Sequence, residues 1–252
     1  MQVMLNIGLS EFQRLFRTPL AWVLLAVLQL ILGYLFLVQV ENYLSVIQPK
    51  IIASQAPYGV TDLVLNQLFT YAGILMLVIM PLLTMRSFAE ERQNNTLTLL
   101  RAAPISSTQI VMGKFLALEL LILCLIAMIS LMPLSLLLGT ALDIGQLSSA
   151  ILGLFLLLSS FAAAGVFLSS LTKHPMLAAL LGFALLLILA LLYLAGTRTG
   201  QTSALLVYLS HFGHYLDFLN GVIDSRDVLY YVLFIAGFLA LTIRKLDNER
   251  LG

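Results

Sequence analysis

The sequence contains little charge and a single cysteine. Only 10% of its 252 residues are charged and 61% are hydrophobic, whereas about a quarter of the residues in a soluble globular domain are charged. This composition excludes an ordinary soluble domain and predicts a membrane protein. Because Cys124 has no second cysteine to pair with, one chain can form neither an internal disulfide nor a cysteine-based metal site.

Motifs that bind phosphate or carry catalysis are also missing. A Walker A loop needs glycine five positions before a Gly-Lys-Ser/Thr ending. Here Thr108 precedes Gly113 at that distance, and Phe115 follows Lys114. The sequence also lacks a Ser/His/Asp nucleophile motif and a glycine-rich dinucleotide loop. We therefore expect a chain that is not itself an enzyme and holds no cofactor, and its net charge of +1 indicates no nucleic-acid partner.

Six apolar runs are long enough to cross a bilayer, whose core of about 30 Å needs about 20 helical residues. Their length favours helices over barrel strands, which would alternate every second residue. The sequence predicts an all-α membrane protein with one domain over residues 1–252. Its spans are expected near residues 20–40, 63–85, 115–139, 147–171, 176–196 and 228–243.

The positive charges predict the orientation, since lysine and arginine are retained on the cytoplasmic side of short loops. With both termini inside, the outer loops contain Lys50, Arg198 and Arg226. The cytoplasmic side then contains Arg14, Arg17, Arg86, Arg92, Arg101, Lys114, Lys173, Arg244, Lys245 and Arg250. We expect a multi-pass protein of a bacterial inner membrane with both termini in the cytoplasm.

The first 18 residues form an amphipathic pattern. Polar residues recur at helical spacing opposite leucines and phenylalanines, so we expect a helix that lies in the membrane surface. A solvated tail is the alternative. Pro19 then begins the first span, at a position where proline costs little.

Glu119 is the charged residue inside a predicted span. Such groups are costly in the membrane and are candidates for function, although a paired carboxylate near the headgroups is the alternative. A stretch of small residues in the fourth span could pack against another subunit or within the chain. It comprises Ser159, Ser160, Ala162, Ala163, Ala164 and Gly165.

An outer segment precedes the last span. His211, His214 and Asp217 recur every three residues, so one helical face could present two imidazoles and a carboxylate to a metal. The alternative is an amphipathic interfacial helix or a re-entrant pair whose histidines face water.

The insert between the second and third spans combines charge with leucines. Glu90, Glu91 and Arg92 precede the leucines, and the pattern predicts one short amphipathic segment from Phe88 to Arg101. Pro104 would stop it, and Ser106 or Ser107 would cap the next helix. A solvated hairpin is the alternative, but exposed leucines favour a docking partner. Charge changes at Arg92 or Arg101 are expected to do little, as at exposed ion pairs.

These residues resemble the cytoplasmic loop of type 2 ABC export permeases, and most closely the gliding-motility and nitrous-oxide-reductase-maturation branches. The resemblance implies a coupling helix, from Glu90 or Glu91 to Leu100, that docks on a separate ATPase. Pro104 and Ser106 would form the turn back to the membrane, and Gly113 and Lys114 would open the third span. The implied docking residues are Glu90, Glu91, Arg92, Thr96, Leu97, Leu99, Leu100 and Arg101.

The chain departs from the family at Asn95-Thr96, where Gly-Thr is usual. Asparagine tolerates the left-handed conformation better than most residues, so we expect the turn to be kept. The stretch before the last span also resembles the family. It provides an implied outer gate segment with His211, His214, Asp217, Gly221, Asp224 and Arg226.

The resemblance implies the permease subunit of an ATP-driven exporter. Its partners would be two copies of an ABC ATPase, which bind ATP and Mg, a second permease that is identical or homologous, and an auxiliary exported protein. The alternative is a scaffold that transmits force to an extracytoplasmic partner without transport. An ion-coupled carrier is the least favoured, because its spans would contain more charge. The sequence does not indicate the substrate.

Overall fold

A computed structural model describes residues 2–48, 61–96, 105–138, 142–198 and 204–251, and the fold is described for these ranges. All regular structure within them is helical, without a strand. Five residues implicated in docking or in the loop turn lie outside the described ranges. They are Leu97, Leu99, Leu100, Arg101 and Pro104.

Six helical stretches in the described residues are long and apolar enough to cross a membrane, as predicted. They are α2 (Pro19–Asn42, continued by a π-helical turn Tyr43–Ile47), α3 (Asn66–Thr84, preceded by a π-helical turn Thr61–Leu65), α5 (Ser107–Ser135, continued by a 3-10 turn Leu136–Leu138), α6 (Ile144–Leu171), α7 (Pro175–Arg198) and α10 (Ser225–Leu251). The shorter helices are α1 (Gln2–Arg17), α4 (Ala89–Gln93), α8 (Ala204–Leu209) and α9 (His211–Leu219).

Two helix starts follow the sequence signals. Pro19 occupies the beginning of α2, where its missing N–H would have no partner in any case. The Ser106 hydroxyl accepts from the Gln109 N–H at 3.2 Å, and the Gln109 side chain accepts from the Ser106 N–H at 3.1 Å. This capping box starts α5 at Ser107 and not near residue 115, so Gly113 and Lys114 lie inside the helix.

The last helix is longer than predicted. Its 27 residues run from Ser225 to Leu251, well past the apolar run that ends near residue 243. The extension is polar and is stabilised by the contact between Lys245 and Glu249, one helical turn apart, at 3.3 Å. Charge therefore marks where the apolar surface ends, but not where the helix ends.

Helix α6 lies at the centre of the bundle and packs against α3, α5, α9 and α10. Its small residues let these neighbours approach closely, and a side chain at Gly165 would overlap Thr84 of α3. The small-residue stretch from Ser159 to Gly165 is buried against the chain's own helices, which settles the alternative left open by the sequence. Helices α2 and α7 are peripheral and expose large apolar side chains.

The bundle has two distinct ends. We call one the terminal face, because α1, α4 and the last turn of α10 come together there. The opposite end, the far face, contains the first turn of α6 and the end of α9, where the Gln146 side chain donates to the Leu219 carbonyl at 3.0 Å.

Candidate functional site

The chain turns between α3 and α4, and Ser169 of α6 holds this turn. The Ser169 hydroxyl accepts hydrogen bonds from the N–H groups of Phe88 and Ala89, both at 3.0 Å. It also donates to the Met85 carbonyl at 2.8 Å. Because these backbone groups have left the helical ladder of α3, the serine replaces the partners that they lost. The start of α4 is thereby fixed to the central helix.

Helix α4 ends in a Schellman motif. The Thr96 N–H donates to the Glu91 carbonyl at 3.0 Å, and the Asn95 N–H donates to the Arg92 carbonyl at 3.4 Å. Asn95 is left-handed, with φ of 56°. The left-handed turn expected at Asn95 is confirmed. The expectation of one continuous helix from Glu90 to Leu100 is wrong, because this cap ends the helix at Gln93.

A four-charge cluster joins α4 to α1 and α5. The Lys114 ammonium is 2.7 Å from a Glu11 carboxylate oxygen and 2.6 Å from a Glu91 carboxylate oxygen. Arg14 completes the cluster, at 3.2 Å from Glu11 and 3.8 Å from Glu91. The Lys114 side chain is only 3% exposed. A buried ammonium is tolerated only where its charge is compensated, so the cluster requires all three elements to be in place.

The surroundings of Lys114 further restrict its position. Its ammonium lies 5.2 Å from the centre of the Phe88 ring, at the turn held by Ser169. The one lysine and one arginine of the cluster balance its two glutamates in formal charge. Glu91, predicted as a docking residue, thus directs its carboxylate into the protein.

Arg92 joins α4 to the last turn of α10. Its Nη2 atom donates to both carboxylate oxygens of Glu249, at 2.9 and 2.8 Å. The two side chains are 13% and 21% exposed. The expectation that Arg92 forms at most an exposed, weak ion pair is therefore wrong. Such charge-assisted hydrogen bonds are stronger when partly shielded from water.

Two glycines bring α1 close to the start of α5. A Cβ atom at Gly113 would lie 2.7 Å from Ile7 Cγ2, and one at Gly8 would lie 2.8 Å from Leu116 Cδ2. Both distances are shorter than real Cβ contacts. At Gly113 the added Cβ would also lie 2.9 Å from Ile7 Cβ, so a side chain there would push α1 away from α5. The crossing places Glu11 and Arg14 of α1 beside Lys114.

The polar end of α4 remains accessible. Gln93, Asn94, Asn95 and Thr96 are exposed, and Glu90 is half-buried. Glu90 and Gln93 line a cavity of about 510 Å³ together with Arg86. The predicted docking residues therefore divide into two inward-facing anchors, Glu91 and Arg92, and an exposed end that leads to the leucines.

Glu119 of α5 is paired within the chain. Its Oε2 atom accepts a hydrogen bond from the Ser159 hydroxyl of α6 at 2.8 Å. Its Oε1 atom is buried and has no hydrogen-bond partner among the described protein atoms. This carboxylate joins the two helices, as the paired alternative expected.

The histidines of α9 are buried, so the expectation that they face water is wrong. His214 Nδ1 lies 2.6 Å from Asp227 Oδ1, and its Nε2 lies 2.7 Å from the Tyr208 carbonyl oxygen. His211 Nδ1 lies 2.9 Å from the Tyr230 hydroxyl. The Tyr230 ring of α10 contacts both imidazoles, and because it is 19 positions from His211, helical periodicity could not indicate it.

The metal-binding alternative is not supported. Within the described ranges no group of three or more His, Cys, Asp or Glu side chains is arranged to hold a metal ion. Burial, followed by the proximity of His214, lowers the pKa of His211 to about 3, so His211 is neutral at physiological pH. Burial, followed by the charge of Asp227, raises the pKa of Asp217. The other predicted gate residues, Gly221, Asp224 and Arg226, are exposed on the far face.

Comparison with known proteins identifies the family. Residues 5–249 match the family described as ABC-2 family transporter protein. No curated protein matches the chain. The match includes all but the first three residues of α1, the α4 segment, the first five apolar helices and all but the last two residues of α10. Members of this family are membrane components of transporters and are not themselves catalytic. The chain therefore belongs to the ABC-2 family of transporter proteins and is a multi-pass membrane protein.

Proposed function

We propose that the chain is the permease subunit of an ATP-driven exporter whose separate ATPase docks on the terminal face. ATP and Mg bind to the ATPase and not to this chain. The terminal face is then cytoplasmic, in a bacterial inner membrane, with both termini inside. The distribution of lysine and arginine supports this orientation, and α1 would lie in the membrane surface with Leu5 and Leu9 exposed to lipid.

The observation that carries the proposal is the anchoring of α4. Its exposed end leads directly into the leucine-containing segment, while Glu91 and Arg92 bind α1, α5 and α10. A protein that binds residues 93–101 would therefore act on three helices through short, shielded ion pairs. A solvated hairpin has no need of such anchors. We propose that residues 90–101 form the coupling segment as a capped helix followed by the leucines.

On the far face we propose a re-entrant hairpin built from α8 and α9. His211 stacks on Phe161, near the middle of α6, at 6.0 Å between ring centres. At the other end of α9, Leu219 is bonded to Gln146 in the first turn of α6. The α8–α9 segment therefore reaches the level of the middle of α6 and comes back to its first turn. This path supports a hairpin that enters the bilayer from outside without crossing it. It would contain the predicted gate residues.

A second permease subunit, identical or homologous, is expected because nucleotide in this family is held between two ATPases.

An apolar groove between α3 and α7, about 760 Å³ in volume, opens sideways beside Val78, Pro81 and Phe183. Its lining suits an apolar or amphipathic molecule better than a sugar or an ion. Within the family, we propose that the chain belongs with the gliding-motility or nitrous-oxide-reductase-maturation permeases.

The docking proposal is tested by site-specific crosslinking in cells. A photoreactive residue in place of Gln93, which is exposed on the terminal face, should capture a protein with a Walker A loop. The matched control replaces Ile223, which is exposed on the far face, and should capture none. An equal yield of the ATPase from both positions, or none from Gln93, contradicts the proposal.

A second measurement separates transport from the scaffold alternative. The purified complex in liposomes should hydrolyse ATP faster when a transported molecule is added to the lipid, and should move a labelled form of that molecule. A scaffold would instead respond to an exported partner protein without moving any labelled molecule. Candidate lipids and peptides are the first to test, since the groove is apolar.

A further inference from the structure

The imidazole of His214 lies between two hydrogen-bond acceptors. Its Nε2 faces the Tyr208 carbonyl of α8 at 2.7 Å, and its Nδ1 faces the Asp227 carboxylate of α10 at 2.6 Å. A carbonyl oxygen cannot donate, so Nε2 must bear a proton. A neutral imidazole has one N–H, which leaves Nδ1 without a proton to share with an ionised carboxylate. Both contacts can be hydrogen bonds only if the His214 and Asp227 pair binds one additional proton.

Several groups around His214 favour the binding of this proton by the His214 and Asp227 pair. The Tyr230 ring of α10 stacks on the imidazole at 4.1 Å between centres, and the Tyr208 ring contacts it edge-on at 5.3 Å. A cationic ring is favoured over an aromatic face. The carboxylates of Asp217 and Asp224 line the same cavity, of about 420 Å³.

Other groups oppose the proton or are neutral. Arg226 lines this cavity and opposes a second positive charge. Neighbouring His211 is uncharged, because its burial lowers its pKa to about 3. Tyr231 of α10 is 6.3 Å from the imidazole between ring centres. On the packed helices α3 and α7 the ionisable groups among the described side chains are the phenols of Tyr71 and Tyr193, and α6 contains no ionisable residue.

We infer that His214 and Asp227 form a proton-binding site that fastens the α8–α9 hairpin to the start of α10. With the proton bound, His214 connects α8, α9 and α10 through two short hydrogen bonds. Loss of the proton leaves one N–H for two acceptors, so one connection breaks and two lone pairs face each other. The fastening is therefore complete at low pH and weakens as the pH rises. This inference does not depend on the ATPase or on the direction of transport.

The proton itself is observed by NMR of the full chain in lipid nanodiscs, with 15N-labelled histidine and 13C-labelled aspartate. Single His→Gln variants assign the signals of the three histidines. At about pH 5, near the lower end of the range in which histidine changes charge, we expect one of two results for the pair. Either both His214 nitrogens are protonated, or Nε2 is protonated and Asp227 is a neutral carboxyl. By about pH 8 the pair should have lost this proton.

His211 is the matched control in the same spectra. The Tyr230 hydroxyl donates to the Leu209 carbonyl at 2.9 Å, so it accepts the proton of His211 Nδ1 and leaves Nε2 bare. We expect His211 to keep this single proton across the whole pH range. A neutral His214 beside an ionised Asp227 at about pH 5, or a pair that keeps its proton beyond about pH 8, would overturn the inference.

The fastening is measured by hydrogen–deuterium exchange of residues 204–219, corrected for the intrinsic dependence of exchange on pH. Losing a hydrogen bond to a charged group should raise the opening equilibrium about 10- to 100-fold between the two pH values. His214→Gln should abolish this dependence, because an amide does not titrate, whereas His211→Gln should keep it. A dependence of unchanged size in His214→Gln would overturn the inference even if the NMR result were as expected.

Discussion

Replacing Lys114 by methionine tests whether the four-charge cluster holds α4 in place. Methionine has similar length and no charge, so the change removes the contacts of 2.7 and 2.6 Å while it fills the same space. Glu11 and Glu91 would keep only Arg14, whose side chain is 43% exposed. Breaking a buried ion pair costs about 3 to 5 kcal/mol. We expect about 3 kcal/mol, the lower limit of that range, because Arg14 still contacts both carboxylates.

The assay is thermal unfolding in one detergent, followed by the loss of helical circular dichroism. For a chain of this size about 3 kcal/mol corresponds to a fall in Tm of about 6 to 12 °C. The matched control is Lys173→Met, since Lys173 is exposed and exposed substitutions usually change stability by less than about 0.5 kcal/mol. Adding Glu91→Gln to Lys114→Met should recover part of the loss, because fewer buried charges then lack a partner. If Lys114→Met unfolds within about 2 °C of Lys173→Met, the cluster does not stabilise the fold.

Three further predictions concern the terminal face and the segment that follows α4. Asn95→Gly should leave stability unchanged or raise it, whereas Asn95→Val should cost about 1 to 2 kcal/mol in unfolding experiments, because φ of 56° is left-handed. Gly113→Val should displace α1 and speed hydrogen exchange of residues 2–17, whereas Gly237→Val, where an added Cβ meets no atom within 4 Å, should not. Serine in place of three leucines at once should abolish co-purification with the ATPase at unchanged helix content, since burying each leucine contributes about 1.5 to 3 kcal/mol. These leucines are Leu97, Leu99 and Leu100.

The parts of the fold predicted from sequence are those that depend on neighbours along the chain. Apolar runs predict the six spans, Pro19 and Ser106 predict helix starts, and Asn95 predicts the left-handed turn. Each signal acts within a few residues, through hydrophobic periodicity or through a single backbone conformation. Helix ends were less well predicted, because a polar helix such as the end of α10 continues without an apolar run.

The site itself depends on contacts between remote residues. Arg92 and Glu249 are 157 positions apart, and Lys114 and Glu91 are 23 apart. Counting positive charges treats Lys114 and Arg92 as solvated, whereas both are shielded in ion pairs. One local signal was available for the cluster, since Gly113 beside Lys114 indicates a close helix crossing. Glu11 of α1 is the partner that this crossing brings near Lys114.

The hydroxyl of Ser169 also restricts how the chain can change in length. It binds Met85, Phe88 and Ala89 at once, so the number of residues in this turn sets the rotational register of α4. One residue inserted there would rotate α4 by about 100° and turn Glu91 away from Lys114. An insertion after Thr96 leaves that register intact, because the Schellman cap has already closed the helix. Natural or engineered length variation should therefore accumulate beyond the cap, where it changes the segment that we propose binds the ATPase without altering how α4 is anchored to the bundle.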